Sequence, residues 1–278
     1  MSNKKSSTLQ IKAKSHLIHL LGDELIGDDG LAVFELVKNG YDADASFVNV
    51  TLDLNSDNPY IKIEDDGHGM SISDIEHKWL ELGTGDKRGE ARKRSKKFKR
   101  LPLGEKGVGR LASAKLGDRI SIISKRKNHR EVDLTIDWPA LINSQSYISD
   151  LAVEANVSST PNRFANGKSG TSITIRNLRR KEWSRRDIRK IYRLISSLVS
   201  PFSTPDKFQT NFKCPGREHE FSDMLSADEF LQSAVWVYKF KIDRSESSEF
   251  ATFSWSYSFS PPNWKGLPPR EDGGDKDT

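Results

Sequence analysis

Four short motifs, rich in glycine or acidic residues, follow one another at the ends of regular segments of this chain. Residues 35–39 read ELVKN, residues 65–69 read DDGHG, residues 104–109 read GEKGVG, and Gly170 precedes Thr171. The first motif lies in a segment with helical periodicity, and the others lie where regular segments begin or end. No Gly-Lys-Ser/Thr sequence follows the glycine-rich motif, which excludes a Walker P-loop. The motifs therefore predict a nucleotide site that is built in another way.

Apolar periodicity predicts the elements that carry these motifs. A helix is expected at residues 31–41, with Asp28 or Asp29 as its N-cap. Alternating strands are expected at 47–54 and 60–65, and their separation by a short turn predicts a hairpin. The same patterns predict helices at 71–82, 107–116 and 184–198, a short apolar segment at 16–21 that ends at Gly22, and strands at 120–123, 132–136, 171–175, 234–242 and 250–259.

Long polar segments divide the chain. Residues 83–103 are rich in Gly, Lys and Arg, and so long a loop in a compact domain is usually functional. Residues 144–168 are interpreted as an irregular insertion, and residues 261–278 as a poorly ordered end. Three parts are predicted. Residues 1–29 are a lead and a candidate dimerisation segment, and residues 30–205 are a central domain. Residues 206–278 contain additional strands that begin a second domain.

Composition excludes several classes of protein. The hydrophobic fraction is 35% and the charged fraction 30%, which is typical of a folded chain with a very polar surface. No apolar run reaches the length of a membrane span, and the N-terminus lacks a signal-peptide core. The single cysteine, Cys214, excludes an internal disulfide, and the histidines have no zinc-site spacing. We therefore expect a cytoplasmic protein that has no membrane partner.

Positive charge is concentrated in two stretches of a chain whose net charge is only +5. Between Asp86 and Arg100 there are nine Lys or Arg residues and two acidic ones, and a second basic stretch spans residues 176–193. A solvated loop and a solvated helix face explain both stretches. Contact of residues 87–100 and 176–193 with nucleic acid or with phosphates explains them equally well. The sequence leaves both interpretations open.

The first motif has the residue types that nucleotide hydrolysis requires. Glu35 and Asn39 are four residues apart and therefore lie on one face of the predicted helix. An amide oxygen is a suitable ligand for Mg²⁺, and a carboxylate one turn away can deprotonate a water aimed at a terminal phosphate. Asp42 either supports the adenine side of the site or caps the helix end. For this motif alone, ordinary surface residues are the alternative.

The later motifs suit the two ends of a nucleotide. Asp65 ends a strand, where its carboxylate can accept a hydrogen bond from the exocyclic amine of adenine. Gly67 and Gly69 allow the backbone to approach a base, although an ordinary turn explains them too. Residues 104–109 precede a helix whose N-terminal N–H groups can bind phosphate, with Lys106 as a charged neighbour. The alternative is a flexible loop that only caps this helix.

Taken together, the motifs resemble the ATP-binding fold shared by gyrase, the ninety-kilodalton heat-shock chaperone, histidine kinases and MutL, the GHKL superfamily. The resemblance covers residues 30–175. It implies a two-layer α/β sandwich of the Bergerat type, with a mixed, largely antiparallel sheet. It also implies that Glu35 is the catalytic base and that Asn39 is the Mg²⁺ ligand. The residues expected to bind ATP and Mg²⁺ are Asn39, Asp42, Asp65, Gly67, Gly69, Met70, Gly104, Lys106, Gly107, Val108, Gly109 and Thr171.

The branch of the superfamily bears on the chemistry. Histidine kinases normally lack a carboxylate four residues before the Asn, so Glu35 favours hydrolysis over phosphotransfer. Residues 34–45 resemble the MutL and MORC-like branch and large bacterial ATP-binding proteins, some of them in defence or DNA processing. The resemblance implies slow, Mg²⁺-dependent ATP hydrolysis that closes a lid at residues 83–103 and drives homodimerisation of a larger, DNA-directed protein. A chaperone-like ATPase and a histidine-kinase-type phosphotransferase are the alternatives.

Overall fold

The structure is a computed structural model of the chain. It describes residues 10, 12–81, 94–104, 109–142, 146–199, 208–224, 235–244, 251–259 and 270–277. The chain forms two compact units, Met1–Asp223 and Met224–Thr278. The first unit contains all four motifs and extends beyond residue 205, where the sequence analysis places the boundary of the central domain.

A seven-stranded sheet is the framework of the first unit. Its strands are β1 (Phe47–Asp53), β2 (Tyr60–Asp65), β3 (Gly117–Lys125), β4 (Glu131–Asp137), β5 (Ala155–Ser158), β6 (Gly170–Leu178) and β7 (Gln209–Lys213). They are arranged in the order β5-β4-β3-β6-β2-β1-β7. Neighbouring strands run antiparallel except for β1 and β7, which are parallel. The predicted mixed, largely antiparallel sheet is confirmed.

Helices cover one face of this sheet. They are α1 (Leu17–Leu25), α2 (Asp29–Asp42), α3 (Ile72–Asp74), α4 (Gly109–Leu116), α5 (Trp138–Ile142) and α6 (Arg185–Ser196), with a π-helix at Ile75–Leu80 and short 3₁₀ turns at Ile148–Asp150 and Glu218–Glu220. Helix α2 contacts β1, β2, α4 and α6, and α4 contacts β3 and β6. Alternate residues of β1 are buried beneath the helices. The predicted two-layer α/β arrangement is therefore present.

The central helix α2 forms where its periodicity predicts it. The side chain of Asp28 accepts a hydrogen bond from the N–H of Leu31 at 3.1 Å, so Asp28 rather than Asp29 is the N-cap. The helix ends at Asp42, and Asp44, two residues later, has a left-handed backbone with φ 58°. One face of α2 is buried against the sheet and its neighbouring helices, and it consists of Gly30, Ala32, Val33, Leu36, Val37 and Gly40.

Several elements differ from their predictions. Helix α1 continues through Gly22 to Leu25, and a Cβ on Gly22 would lie 3.4 Å from the carbonyl oxygen of Leu111, which is an ordinary van der Waals distance. The helix predicted at 71–82 is a single turn, α3, followed by the π-helix. The insertion at 144–168 contains β5, because that segment supplies the edge strand beside β4. Strand β7 had no prediction.

The described part of the N-terminal lead contacts the rest of the first unit. The N–H of Ser15 donates to the carbonyl of Ser146 at 3.1 Å, and the N–H of Ile148 donates to the carbonyl of Ala13 at 2.9 Å. The ammonium of Lys14 lies 4.4 Å from the centre of the Tyr147 ring. Residues 13–15 of the lead are therefore bound within the same chain.

The second unit is a three-stranded antiparallel sheet of β8 (Trp236–Arg244), β9 (Ala251–Phe259) and β10 (Arg270–Asp277), in the order β10-β9-β8. Trp236 pairs with Phe259, and Phe240 with Trp255, so the aromatic residues share one face, as their alternation predicts. Strand β10 lies where a poorly ordered end was expected, because its backbone pairs with β9. None of the helices in the described part of either unit has the length and apolar character needed to cross a bilayer.

Candidate functional site

The carboxylate of Asp65 is buried where β2 ends, and its side chain is at the centre of the candidate site. The residue is 8% exposed, and its Oδ1 accepts a hydrogen bond from the N–H of Gly67 at 2.9 Å. The pKa of Asp65 is raised to about 7, chiefly because the carboxyl group is buried. The neighbouring carboxylates of Asp66 and Glu64 also raise this pKa, and the backbone hydrogen bonds from Gly67 and Thr171 lower it. A buried acid of this kind is typical of a binding site.

Helix α2 and strand β2 approach each other closely at Asp65 because glycines lie between them. A Cβ on Gly40 would lie 2.6 Å from Cγ2 of Val48 and 3.2 Å from Cβ of Asp65. A Cβ on Gly67 would lie 2.7 Å from the carbonyl oxygen of Ala43. Gly40 was not predicted as a site residue, although a glycine inside a helical pattern often marks close packing. Its effect is to place the helix against the buried acid.

A network of hydroxyl groups lies on the other side of Asp65. Thr171 pairs with Asp65 across β2 and β6, and its Oγ1 is 2.9 Å from Oγ of Ser124. Ser124 donates to the carbonyl of Gly170 at 3.1 Å and accepts from the N–H of Met70 at 2.9 Å. Since the single hydrogen of Ser124 is used, Thr171 is the donor to Ser124, and its lone pairs can accept a further hydrogen bond.

Ser124 is a site residue that the sequence analysis missed. It follows a predicted strand as an ordinary polar residue, and only the pairing of β3 with β6 brings it beside Thr171. Ser169 was missed for the same reason, and its hydroxyl donates to the carbonyl of Gly67 at 2.9 Å. These two serines connect the DDGHG turn to the strands beside it.

The DDGHG turn itself is held to its neighbours by its backbone. Asp66 accepts hydrogen bonds from the N–H groups of Ser46 and Phe47 at 2.6 and 3.0 Å, which fixes the start of β1. Gly69 has φ 63°, and a Cβ on it would lie 2.0 Å from the carbonyl oxygen of Lys125. Only glycine is compatible with both the left-handed backbone and the space at this position. The ring of His68 is exposed, and its Nδ1 lies 2.8 Å from the carbonyl oxygen of Gly69.

Helix α2 presents three predicted site residues on one stripe. Glu35, Asn39 and Asp42 are four and three residues apart, so they lie one above the other. The Oε1 of Glu35 accepts a hydrogen bond from Nζ of Lys38 at 2.8 Å. Asn39 is exposed, and its side chain forms no hydrogen bond to another part of the chain that the structure describes. Its amide oxygen is therefore available to a hard cation such as Mg²⁺, which uses few protein ligands beside water and phosphate.

Asp42 contacts a backbone segment that comes about sixty residues later. Its Oδ1 accepts from the N–H of Leu103 at 2.7 Å, and its Oδ2 accepts from the N–H of Gly104 at 3.0 Å. The sequence analysis offered the adenine side or the helix end as the place of this carboxylate. In the structure, Asp42 holds the residues with which the glycine-rich motif begins.

The segment before Gly104 is bound to the end of α2 at further points. Asp44 accepts from the N–H groups of Lys97 and Phe98 at 2.9 and 3.4 Å. Burial tends to raise the pKa of Asp44, but hydrogen bonds from Ser95, Lys97 and Phe98 outweigh it and hold the pKa below its usual value. Residues 94–104 are thus attached to α2 by two carboxylates.

Arg100 is buried in this attachment and is 4% exposed. Its Nη1 donates to the carbonyls of Ala45 and Tyr41 at 2.6 and 3.3 Å. The guanidinium carbon lies 4.5 Å, 4.4 Å and 5.1 Å from the ring centres of Tyr41, Phe98 and Phe208. Such cation–π contacts stabilise a desolvated guanidinium. Arg100 therefore acts in folding, although it was predicted as part of a basic surface.

Most of the second basic stretch is also paired within the chain. Arg180 forms ion pairs with Asp29 and Asp187, and Lys190 forms one with Asp28 at 2.9 Å. These contacts connect α6 and the loop before it to the N-terminus of α2. Further pairs are Arg179 with Asp118, and Arg185 and Arg189 with Asp223. This pairing favours a structural explanation for these charges.

The glycine-rich motif is described only at its ends. Gly104 is bound to Asp42, and Gly109 begins α4, which packs against α2. The predicted nucleotide contacts Lys106, Gly107 and Val108 lie outside the described residues, as do residues 83–93 of the predicted lid. The structure thus brings together the α2 stripe with Gly104, and Asp65, Gly67, Gly69, Met70 and Thr171 around the end of β2.

The helix-covered antiparallel sheet, with a buried acid beside the helix that bears Glu35 and Asn39, defines a class of nucleotide-binding α/β proteins. A family model described as "Histidine kinase-, DNA gyrase B-, and HSP90-like ATPase" matches residues 30–171. The match covers half of the chain, which belongs to this family of ATP-binding ATPases. The predicted superfamily is confirmed. No curated protein shows significant similarity to the chain.

Proposed function

We propose that the chain hydrolyses ATP with Mg²⁺ and that Glu35 is the general base. One observation carries this proposal. The buried acid Asp65 lies against Gly40, on the same helix that presents Glu35 and Asn39. A single rigid element thus connects a group that suits the base of a nucleotide with groups that suit its phosphates.

In the proposed reaction, the carboxylate of Glu35 accepts a proton from a water molecule as the water oxygen bonds to the terminal phosphorus of ATP. The bond from that phosphorus to the bridging oxygen breaks, and ADP and inorganic phosphate are released. Asn39 would hold Mg²⁺, which neutralises phosphate charge when bound. General-base catalysis of this kind contributes roughly 10²- to 10⁴-fold to a rate.

Asp65 and Thr171 would give the site its preference for adenine. The ionised carboxylate of Asp65 accepts from the exocyclic amine, and the free lone pairs of Thr171 accept from the same group or from a bridging water. A guanine ring places a carbonyl oxygen where adenine has its amine, so two acceptors would face each other. We expect ATP to bind at least tenfold more tightly than GTP, because an unpaired buried acceptor costs about 1–3 kcal/mol.

Action on a protein client is a second candidate function. Trp236, Tyr238 and Phe240 of β8 are exposed on one face of the second unit, and exposed aromatic clusters commonly mark contacts with proteins. By contrast, contact with DNA has weaker support, since Arg100 is buried and Arg180 and Lys190 are paired within the chain. A duplex-binding assay tests the action on DNA against the action on a protein client. It is made at low salt, because contacts with DNA phosphates weaken steeply as the salt concentration rises.

Lid closure and dimerisation stay predictions. Movement of residues 94–103 of the lid assigned to 83–103 would have to break their hydrogen bonds to Asp44 and Asp42. The contacts of Lys14 and Ser15 with residues 146–147 would have to break before the N-terminal lead could reach a second copy. Sedimentation of the chain with and without ATP tests dimerisation.

The central experiment is calorimetric titration of ATP and Mg²⁺ into the wild type and Asp65→Asn, followed by a turnover assay. Binding by the wild type that is lost in Asp65→Asn supports the site. Asp133→Asn is the matched control, because Asp133 is exposed on β4, and it should bind ATP normally. Equal ATP binding by wild type and Asp65→Asn would contradict the assignment.

The catalytic base is tested separately. Glu35→Ala should bind ATP but lose at least 100-fold in turnover, whereas Glu154→Ala, at an exposed position, should match the wild type. Turnover by Glu35→Ala at the wild-type rate would remove Glu35 as the base. Incubation with γ-labelled ATP tests the phosphotransferase alternative, for which acid-labile labelled protein would be the result.

A further inference from the structure

The carboxylate of Asp42 holds two consecutive backbone N–H groups, one with each oxygen. Leu103 donates to Oδ1 at 2.7 Å and Gly104 donates to Oδ2 at 3.0 Å. Hydrogen bonds to an ionised acceptor are stronger than neutral ones. Because both oxygens are used, the contact fixes the direction of the chain at Gly104 as well as its position.

The other end of the glycine-rich motif is also attached to α2. Gly109 is the first residue of α4, and α4 packs along α2. The helix that presents Glu35 and Asn39 therefore holds both ends of the motif to which phosphate binding is assigned. Asp42 supplies the upstream attachment, one turn beyond Asn39 on the same stripe of the helix.

The charge of Asp42 argues against direct contact with a nucleotide phosphate. A carboxylate beside a triphosphate would repel it, and both oxygens of Asp42 already accept hydrogen bonds from the backbone. The adenine side is occupied by a different acid, Asp65, which is buried at the end of β2. These observations leave Asp42 to act on the nucleotide through Gly104.

We propose that Asp42 is a positioning residue that sets the recognition of the phosphates and has no part in the recognition of adenine. This inference rests on the proposed function, since it concerns the same site. When Asp42 is removed, Gly104 loses the two-oxygen contact that fixes the chain where the glycine-rich motif begins. The contribution of the phosphates to the binding free energy of ATP therefore becomes smaller, whereas the contribution of the adenine ring is unchanged.

The experiment compares ATP and adenosine as ligands of the wild type, Asp42→Ala and Asp42→Asn. We expect Asp42→Ala to bind ATP at least tenfold more weakly and adenosine within twofold of the wild type. Asp42→Asn retains one acceptor oxygen, so its affinity for ATP should lie between those of the wild type and Asp42→Ala. It also serves as the second variant if Asp42→Ala does not fold, which circular dichroism will show.

Asp44→Asn is the matched control. Asp44 lies two residues from Asp42 and accepts from Lys97 and Phe98, upstream of the glycine-rich motif. Asparagine tolerates the left-handed backbone at this position. Because the contacts of Asp44 lie before Gly104, this variant should weaken ATP binding less than Asp42→Asn does and should leave adenosine binding within twofold of the wild type. If the attachment by Asp42 and Asp44 served only to stabilise the fold, substitution of either residue would weaken the binding of both ATP and adenosine.

The outcomes separate this inference from the proposed function. If the wild type binds neither ligand, the proposed function fails and the role of Asp42 fails with it. If the wild type binds both and Asp65→Asn loses both, the proposed site stands. In that case, unchanged ATP binding by both Asp42 variants, or an equal loss of ATP and adenosine, overturns the inference.

Discussion

The ammonium of Lys38 lies 2.8 Å from Oε1 of Glu35, three residues earlier on α2, and the two side chains are only 15% and 29% exposed. The carboxylate assigned as the catalytic base is thus restrained by a neighbour on its own helix. An ion pair with this geometry limits the rotamers of both side chains. It leaves Oε2 as the oxygen that can face a water molecule.

Loss of this restraint should slow hydrolysis without weakening the binding of ATP. We expect Lys38→Met to lower kcat by about tenfold, because small displacements of a catalytic group have large effects on rate. KM should stay within twofold, and Lys38→Arg should recover most of the rate. Steady-state kinetics of ATP hydrolysis measures both constants.

Lys78→Met is the control for Lys38→Met. Lys78 forms an ion pair of similar length, 2.6 Å, with Asp74, but it is 72% exposed on the π-helix. This variant should leave kcat unchanged. Equal rates for wild type and Lys38→Met would show that the orientation of Glu35 does not depend on the lysine.

The buried carboxylate of Asp65 should make the protein less stable as pH rises. Its pKa is raised from 3.8 to about 7 in the folded state, so the folded state holds a proton that the unfolded state has released. The stabilising contribution is complete below pH 3.8 and is lost as pH rises through 7. Asp65→Asn removes this dependence, and it should be more stable than the wild type at pH 8 by about 2–4 kcal/mol.

Urea unfolding at several pH values checks this expectation. The difference in unfolding free energy between Asp65→Asn and the wild type should shrink steadily from pH 8 towards pH 4. Asp133→Asn, an exposed substitution of the same kind, should show no such trend. A constant difference across the range would mean that Asp65 is ionised in the folded protein throughout.

The affinity for adenosine should also depend on whether the carboxyl group of Asp65 is protonated. The adenine amine needs an ionised acceptor, so adenosine affinity should rise with pH up to about 7 and then level off. Below that value we expect about a tenfold loss per pH unit, since binding must first remove the proton from Asp65. Adenosine is the appropriate ligand here, because terminal phosphate groups titrate near pH 6 themselves. Affinity that is constant between pH 5 and 8 would contradict this assignment.

The aromatic residues around Arg100 should make it important for stability. Arg100→Met removes the hydrogen bonds to the carbonyls of Ala45 and Tyr41 and the cation–π contacts of the guanidinium. We expect a loss of about 3–5 kcal/mol in the free energy of unfolding, typical of a broken buried charge contact. Lys96→Met lies in the same stretch at an exposed position and should cost less than about 0.5 kcal/mol. Similar urea midpoints for the two variants would argue against a folding role.

Two glycines with the same backbone conformation allow strain and crowding to be separated. Gly69 and Gly167 have φ 63° and 75°, but a Cβ at Gly69 would meet the carbonyl of Lys125 at 2.0 Å, and one at Gly167 would meet nothing within 4 Å. Gly167→Ala should cost about 1–2 kcal/mol from backbone strain alone. Gly69→Ala should cost clearly more and should also weaken adenosine binding. Equal losses of stability would show that the turn can move aside.

Local patterns predicted the parts of this fold that depend on neighbours in sequence. The periodicity of α2, the alternation of β1 and β2, and a helix cap at Asp28 or Asp29 are properties of short segments. The stripe of Glu35, Asn39 and Asp42 follows from helix geometry alone. For this reason the helix that carries the candidate site was predicted nearly to its ends.

Contacts between distant residues could not be predicted in this way. Arg100 resembles any other residue of a basic stretch until folding brings Tyr41 and Phe208 around it. Ser124 gains a role only through the pairing of β3 with β6. The partners of the second basic stretch, such as Asp28 and Asp223, are also remote in sequence. A pattern of charges does not reveal whether each charge already has a partner.

Strand β6 has a consequence for how the protein can be divided. The family match ends at residue 171, one residue after β6 begins at Gly170. Yet β6 is the strand that joins β3 to β2 in the sheet. A gene fragment cut at the end of the match would encode every motif residue, but its sheet would separate into two halves. The smallest expressible unit must therefore be chosen from strand order, and it extends at least to β7.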